Sequence, residues 1–277
     1  MSRFGRIIGI AAVCLLAGCA AYGPPRGNEK ITRNVEFAAP GGRPLRMDLY
    51  VPQTGKPAPV VLWIFGGSWK FGSKGYHVNV RDLTRSGIAV ASIEYRLSGQ
   101  ASFPAQLEDC KAAVAWLRTH GAKYGIDPNR IGASGESAGG HLAALLGTTE
   151  ERPNIDAVCA LYPPTNLVSL GRMYSQPGRR SDIEALLNGP IEEKLPLARA
   201  ASPVEHVSRS SPPFLLIHGA KDSLVPLSQS EELHTRLKRA GVESTLLVAP
   251  EQPHWFKLTP AQVAQVAAFF RKHFAME

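Results

Sequence analysis

Residues 132–140 read Gly-Ala-Ser-Gly-Glu-Ser-Ala-Gly-Gly, between a short apolar run and a stretch rich in Leu and Ala. The pattern is G-x-S-x-G in a strand–turn–helix setting. A serine on such a sharp turn needs neighbours without bulky side chains, which Gly135 and Gly139 provide. The following helix points free N–H groups at Ser137 and favours negative charge on a reacting oxygen. The stretch therefore predicts a serine nucleophile for acyl transfer, although an ordinary glycine-rich turn can also carry the bare motif.

Apolar runs recur along the chain, separated by segments with helical spacing. They lie at residues 60–65, 88–93, 157–161, 214–217 and 244–248. Because these runs do not alternate with polar residues, they predict strands covered on both faces, as in a parallel sheet. Two alternating segments near the start, 35–37 and 45–51, predict an antiparallel hairpin. Strands alternating with helices predict a single α/β domain with a mostly parallel sheet.

Local patterns also indicate helix starts and an insertion. Ser228 with Glu231, and Thr259 with Gln262, have the spacing of capping boxes. Residues 163–213 interrupt the rhythm, because they are rich in Pro, Ser and Arg and have one good helical run, around 181–187. We expect this insertion to form a partial cap over the site.

A serine hydroxyl needs a base to become a nucleophile at neutral pH. Among eight histidines, His254 lies in a loop between the last apolar run and the last helical segment. Catalytic groups are usually presented in such loops. His218 ends an apolar run and is predicted to be a packing or turn residue, and His141 begins the helix beside the serine. The sequence therefore predicts that His254 is the general base.

The base in turn needs an acid that orients it. Asp222 follows the run at 214–217, so it should lie at the same edge of the sheet as Ser137. The alternative, Asp156, precedes a strand and should lie at the opposite edge. The serine, acid and histidine then occur in the order Ser137, Asp222, His254, which is the chain order of α/β-hydrolases.

With these matches, and with Val225-Pro226 after the acid and Trp255-Phe256 after the histidine, the chain resembles α/β-hydrolases of the esterase and lipase group. The likeness is to hormone-sensitive-lipase-like and bacterial feruloyl-esterase-like carboxylesterases, and it covers about residues 31–274. It implies an α/β-hydrolase fold with a partial cap. It also implies ester hydrolysis through an acyl-enzyme, with no cofactor and no metal.

The oxyanion loop is where the chain departs from this family. The family's His-Gly-Gly-Gly corresponds to Phe65-Gly66-Gly67-Ser68. The resemblance implies that the N–H groups of Gly67, Ser68 and Ala138 hold the oxyanion, because backbone donors need no particular side chain. Phe65 lacks the family histidine's ring, which fixes the loop. Two outcomes are open: activity is lower than in the family, or packing of Phe65 and Trp69 holds the loop instead.

The substrate is left open between short-chain acyl, acetyl-sugar and feruloyl-type esters. Candidate walls of a substrate pocket are Trp69, Tyr162 and Trp255. Arginines in the cap, at 172, 179 and 180, are candidates for contacts with acidic sugars. A serine peptidase of the prolyl-oligopeptidase type, a transferase and a non-catalytic binding lipoprotein are the alternative functions. Glu136 is expected to brace neighbouring loops.

The N-terminus has the features of a secretory signal. Two arginines precede an apolar stretch at 7–17, which is too short to span a bilayer and ends in Leu-Ala-Gly-Cys. This ending resembles a bacterial lipobox, which implies that Cys19 is lipidated and that Ala20 directs the protein to the outer membrane of a Gram-negative cell. A plain secretory signal is the alternative. We assign residues 1–18 to the signal, 19–30 to a tether and 31–277 to the hydrolase domain.

The net charge limits the possible binding partners, and the positions of the cysteines indicate whether they form a disulfide. Removing the signal takes away two arginines and no acid, so the net charge falls from +8 to +6. This excess suits an anionic membrane or polysaccharide surface. No basic block predicts nucleic-acid binding, and no histidine, aspartate or glutamate cluster has the spacing of metal ligands. Cys110 and Cys159 lie in apolar segments and predict buried thiols in preference to a disulfide.

Overall fold

A computed structural model describes residues 28–75, 81–150, 153–176 and 178–276. Within these ranges one sheet contains eight strands, in the spatial order β1-β2-β4-β3-β5-β6-β7-β8. The strands are β1 Glu29–Ala38, β2 Leu45–Pro52, β3 Ala58–Ile64, β4 Ala89–Ile93, β5 Ile126–Glu136, β6 Val158–Leu161, β7 Phe214–Gly219 and β8 Ser244–Ala249. β2 pairs antiparallel with β1 and β4, and all other pairs are parallel. The predicted hairpin and mostly parallel sheet are confirmed.

The α-helices of the described residues are α1 Ala105–His120, α2 Ala138–Thr148, α3 Leu167–Tyr174, α4 Asp182–Leu187, α5 Leu195–Ala200, α6 Ser228–Arg239 and α7 Pro260–His273. The capping box at Thr259 is confirmed, since its side chain accepts a hydrogen bond from the Gln262 N–H. The capping box predicted at Ser228 is wrong. Leu227, already helical, precedes α6, and the Gln229 N–H bonds to the Pro226 carbonyl. The preceding turn therefore leads directly into the helix.

Both faces of the sheet are covered, as the apolar runs predict. In β3, Val60, Leu62 and Ile64 pack into one core, whereas Val61 and Trp63 pack into the other. Helices α1, α2 and α6 cover the first face and α7 covers the second. Burial of each large apolar side chain contributes roughly 1.5–3 kcal/mol. Sequence and packing therefore agree on a doubly covered α/β-hydrolase fold.

In the described part of the inserted segment, residues 163–176 and 178–213, there are three α-helices, not the single one expected. Helix α3 begins where the Asn166 side chain accepts a hydrogen bond from the Ser169 N–H, and α5 begins at Leu195-Pro196. The Tyr174 hydroxyl donates to the Leu224 carbonyl, 2.6 Å away, and the Phe103 N–H donates to the Leu186 carbonyl. The insertion is therefore fastened to the loops after β7 and β4.

The first strand begins earlier than the predicted domain boundary. β1 starts at Glu29, so the last two residues of the predicted tether belong to the sheet. The buried carboxylate of Glu29 pairs with the Arg81 guanidinium at 2.5 Å, which holds the strand end in place. The predicted signal and the lipidation site at Cys19 lie outside the described residues. Among the helices of the described residues, none combines the length and the apolar composition of a membrane-spanning segment.

The chain enters the sheet far from its carboxyl edge, where the parallel strands β3 to β8 end. β1 and β4 run in the same direction, because both are antiparallel to β2. Glu29 therefore lies at one edge of the sheet, and the candidate site residues, which follow the parallel strands, lie at the opposite edge.

Cys110 and Cys159 are buried and free, as predicted, and burial raises the pKa of both thiols.

Candidate active site

Three side chains from three strand ends meet at the carboxyl edge of the sheet. Ser137 follows β5, Asp222 follows β7 and His254 follows β8. The distance from His254 Nε2 to Ser137 Oγ is 2.9 Å, and that from His254 Nδ1 to Asp222 Oδ2 is 2.6 Å. All three side chains are buried. With Nδ1–H donating to the carboxylate, Nε2 is free to accept the serine proton.

Ser137 occupies a strained turn, as the motif predicts. Its φ of 51° and ψ of −120° lie in a region of backbone conformation that residues other than glycine rarely adopt. Its N–H bonds to the Leu161 carbonyl at 2.9 Å, and its carbonyl accepts from the His141 N–H. A Cβ added at Gly135 or Gly139 would overlap neighbouring backbone. The glycines therefore let β5, α2 and the end of β3 approach closely enough to present the hydroxyl.

Asp222 is held as an anion by several donors. The Leu224 and Val225 N–H groups donate to its Oδ1 at 2.9 and 2.8 Å. Burial opposes ionisation, but hydrogen bonds from His218, His254 and the Val225 N–H outweigh it and hold the pKa of this carboxyl well below its usual range. Asp222 can therefore stabilise a positively charged imidazole while staying ionised itself.

His218, predicted to be a packing residue, also contacts the acid. Its ring is fully buried, with Nε2 2.8 Å from the Val225 carbonyl and 3.2 Å from Asp222 Oδ2. Its Nδ1 lies 2.7 Å from the Ser230 hydroxyl. Sequence reasoning missed this contact, for which the only signal is the four-residue spacing to Asp222. His218 thus contacts the same carboxylate oxygen as His254.

The oxyanion loop lies against the nucleophile turn. Gly67, Ser68 and Trp69 have φ values of 113°, 53° and 58°, and the Gly67 carbonyl accepts from the Lys70 and Phe71 N–H groups. A Cβ added at Gly66 would lie 3.3 Å from the Cβ of Ser137. Ala138 is the first residue of α2, so its N–H has no partner within that helix. The three predicted donors therefore belong to backbone segments next to Ser137.

Packing holds the start of this loop without the family histidine. The Phe65 ring stacks on Tyr95 with the ring centres 4.3 Å apart, and the Tyr95 hydroxyl donates to the Phe65 carbonyl at 3.1 Å. The expectation that Phe65 is held by packing is confirmed. The aromatic partner comes from the segment after β4, so the loop is tied to the neighbouring strand.

A hydrogen-bonded chain holds the loop at Trp69. The indole N–H donates to His141 Nδ1 at 3.1 Å, and His141 Nε2 donates to the Ala201 carbonyl at 2.6 Å. Complete burial lowers the pKa of His141 to about 4. The ring is therefore neutral near pH 7, with one nitrogen accepting and the other donating. Sequence reasoning did not predict this contact between the loop, α2 and the cap.

A family model named BD-FAE matches residues 47–237, which is more than half of the chain. The chain belongs to the BD-FAE family. Esterase LipC of Mycobacterium tuberculosis is 34% identical over 219 residues, which cover 73% of this chain and 54% of the relative. Esterase LipQ of the same organism is 30% identical over 264 residues, covering 89% of this chain and 62% of the relative. The chain thus spans little more than half the length of these curated relatives.

Solved structures agree with this fold. A truncated form of a carbohydrate esterase from gut microbiota superimposes with a TM-score of 0.81 at 27% identity, covering 92% of this chain and all of the other. Esterase 2 from Thermogutta terrifontis, with propionate bound, superimposes with a TM-score of 0.71 over 90% of this chain and 95% of the other. At 23% identity, this second likeness supports the fold alone.

Two of the three aromatic residues predicted to line a pocket in this BD-FAE member are buried and hydrogen-bonded to neighbouring side chains. Tyr162 is 1% exposed; its hydroxyl donates to Glu136 Oε2 at 3.0 Å, and its ring packs 4.8 Å from that of His254. Trp69 is 3% exposed and is held by His141. Trp255, in contrast, is 61% exposed and lies 5.2 Å from the His254 ring. Of these three residues Trp255 has the exposed ring, and the pocket role of all three stays a prediction.

Two of the cap arginines already have partners within the cap. Arg172 forms a two-pronged pair with Glu192 at 2.7 and 3.1 Å. Arg180 donates to the Glu184 carbonyl and to Asn188 Oδ1. Arg172 is therefore already neutralised by a carboxylate, which argues against the predicted contact with an acidic sugar at this residue. Asp156, the alternative acid, accepts from the Ile131 N–H at the opposite edge of the sheet.

Proposed function

We propose that this chain is a carboxylic ester hydrolase that works through an acyl-enzyme on Ser137. The observation that carries the proposal is the continuous hydrogen-bonded chain from Ser137 Oγ through the His254 ring to Asp222, at 2.9 and 2.6 Å. Named esterases among the family relatives and structural neighbours support the same reaction class. Among the described residues no cluster of side chains could hold a metal ion.

In the first step, Ser137 Oγ attacks the ester carbonyl while its proton passes to His254 Nε2. The carbonyl oxygen becomes negative and accepts hydrogen bonds from the N–H groups of Gly67, Ser68 and Ala138. When the carbonyl re-forms, the bond to the alcohol oxygen breaks and His254 gives that oxygen the proton. The alcohol leaves, and the acyl group stays on the serine.

In the second step, water attacks the acyl-enzyme as His254 takes one of its protons. The same N–H groups hold the second oxyanion, and His254 returns the proton to Ser137 as the carboxylic acid leaves. Asp222 holds the imidazole in one tautomer and stabilises its positive charge throughout. Glu136, buried and bonded to the Tyr162 hydroxyl, braces the turn and lies outside this proton path.

We propose a sugar-linked ester as the substrate class. Two structural neighbours at 26–27% identity are a carbohydrate esterase and an acetyl ester-xyloside bifunctional hydrolase. The exposed Trp255 beside His254 offers an apolar wall for a small acyl group or a sugar ring. Acetyl and feruloyl groups both satisfy this description, and an activity screen across acetyl, butyryl and feruloyl esters distinguishes them.

We also propose that Cys19 carries a lipid anchor, so that the domain works at the outer membrane. Support comes from the Leu-Ala-Gly-Cys sequence and from the entry of the chain at the sheet edge opposite Ser137. With the anchor at that edge, the carboxyl edge of the sheet faces away from the bilayer and is open to polymers. The full-length Cys19→Ser variant should lose labelling by radioactive palmitate and leave the membrane fraction. Retention of both would contradict the anchor.

Hydrolysis of nitrophenyl acetate by Ser137→Ala tests the reaction. We expect no measurable turnover above background, because the covalent route is lost. Ser134→Ala, the same chemical change three residues earlier on β5, serves as the matched control and should keep wild-type turnover. Unchanged hydrolysis by Ser137→Ala would overturn the assignment. Peptide substrates, run in parallel, should not be cleaved.

A further inference from the structure

Two neighbouring clefts share a lining residue near the carboxyl edge of the sheet, on the β4 side of the oxyanion loop. The first encloses about 340 Å³ and the second about 400 Å³, and Gln100 lines both. The first lies over the start of β2 and the end of β4, and the second reaches α4 of the cap. We call the combined groove the side trough. Its polar and charged lining residues include Arg43, Arg46, Lys70, Glu94, Gln100 and Arg180.

The charge of the side trough is strongly positive. Four of its lining side chains are cationic, and Glu94 is its single lining carboxylate among the residues that the structure describes. Glu94 already lies 3.6 Å from Lys74 Nζ and accepts the Arg46 N–H. Lys70 pairs with Asp182 at 2.9 Å.

Two arginines are free to bind a ligand. Arg43 and Arg46 are exposed, and within the described ranges no carboxylate lies within 4.0 Å of either guanidinium. Arginine binds carboxylates through two parallel hydrogen bonds, more strongly than a neutral donor binds them. A carboxylate on a bound ligand would supply the missing partner for either side chain.

The side trough is within reach of a polymer whose ester is at Ser137. In the sheet order, β4 lies two strands from β5, which is about 10 Å at the usual spacing of about 4.8 Å per strand. Between them, Phe71 of the oxyanion loop is 54% exposed. Its ring offers an apolar surface to a sugar ring that passes over the loop.

We infer that the side trough binds the polysaccharide backbone that carries the ester, and that it selects chains containing uronic acids, the sugars that bear a carboxylate. Arg43 and Arg46 bind the carboxylate, while Gln100 bonds to sugar hydroxyls. The inference rests on the proposed ester hydrolysis and adds the substrate's backbone to it. Because the contact is partly exposed, its contribution should weaken as salt is raised.

The test compares an acetylated glucuronoxylan with the same polymer after chemical reduction of its carboxyl groups to alcohols. For the wild type we expect kcat/KM on the acidic polymer to exceed that on the reduced one at least tenfold at low salt. The Arg43→Ala/Arg46→Ala variant should bring this ratio within twofold of one. Lys56→Ala/Lys123→Ala, which removes two exposed cations near the opposite edge, should keep the wild-type ratio.

A wild-type ratio near one, or an undiminished ratio in the arginine variant, would overturn the inference. A binding measurement separates this failure from failure of the proposed reaction. The wild type should be retarded in a native gel containing polygalacturonate, and the arginine variant should not be retarded. Equal retardation of both proteins would refute the uronic-acid site, whereas absent turnover of nitrophenyl acetate would refute the reaction alone.

Discussion

The indole N–H of Trp69 donates to Nδ1 of His141, and this bond joins the oxyanion loop to the helix that begins at the nucleophile. The other nitrogen of the same ring donates to the Ala201 carbonyl at the end of α5. One neutral histidine therefore connects the loop, the nucleophile helix and the cap. His141 has no path to the reacting atoms in the proposed mechanism, so it acts as a positioning residue.

Removing this bond should impair turnover more than substrate binding. In Trp69→Phe the ring stays but its donor is lost, so the loop's N–H groups shift from the developing oxyanion. Loss of one oxyanion donor costs about 100- to 1000-fold in kcat, and a displaced donor should cost less, about tenfold. Steady-state kinetics on nitrophenyl acetate measures kcat and KM separately.

Trp116→Phe provides the control, because Trp116 also contacts a histidine ring, His120, but on α1. Its kinetics should match the wild type. His141→Gln should lower kcat as Trp69→Phe does, and the double variant should be no worse than either single variant. Additive losses would contradict a shared role in positioning the loop.

Stability should fall in mild acid because His141 is buried in its neutral form. Its pKa is about 4 in the folded protein, against 6.5 for a free side chain. Between these values the unfolded chain binds a proton that the folded chain does not, so stability falls as pH drops from 6.5 to 4. The full difference amounts to about 3 kcal/mol.

Urea denaturation of the wild type and of His141→Gln at pH 7 and at pH 4.5 measures this dependence. The variant cannot titrate at this position, so its free energy of unfolding should change less between the two pH values. Other buried groups contribute equally to both proteins and cancel in the comparison. The same pH dependence in both proteins would show that His141 does not carry it.

His218 should affect activity through its hydrogen bond to Asp222. His218→Asn removes one of the hydrogen bonds that keep the pKa of Asp222 low, so the acid becomes easier to protonate. We expect kcat/KM to fall about tenfold, the range of a lost charge-assisted hydrogen bond, and the acid limb of the pH–rate profile to move to higher pH.

His234→Asn is the matched control for this change. His234 also bonds to a serine hydroxyl, that of Ser244, but lies on α6 away from Asp222. Its pH–rate profile should coincide with that of the wild type. A loss of activity in His218→Asn without any shift of the acid limb would indicate a packing role only.

The sequence located the triad because strand ends can be read from apolar runs. Ser137, Asp222 and His254 each follow such a run, and the ends of parallel strands share one edge. The contact among these three side chains could therefore be predicted once the sheet topology was correct. The nucleophile turn was also predictable, because its glycines reflect a local steric requirement of a few neighbouring residues.

The supporting contacts were not predictable in the same way. Trp69 and His141 are 72 residues apart, and their hydrogen bond depends on how a loop with three positive φ values turns its side chains. No periodic pattern records such directions. At Ser228, a local capping signal was overridden because the preceding turn at Pro226 had already set the helix start. Both differences come from tertiary context.

Covalent labelling by a fluorophosphonate tests the acyl-enzyme account most directly. Intact-mass analysis should show one adduct per wild-type chain, located on Ser137 by peptide mapping, an equal adduct in Ser134→Ala and none in Ser137→Ala. An adduct of the same yield in Ser137→Ala, or a wild-type adduct on another residue, would contradict the account.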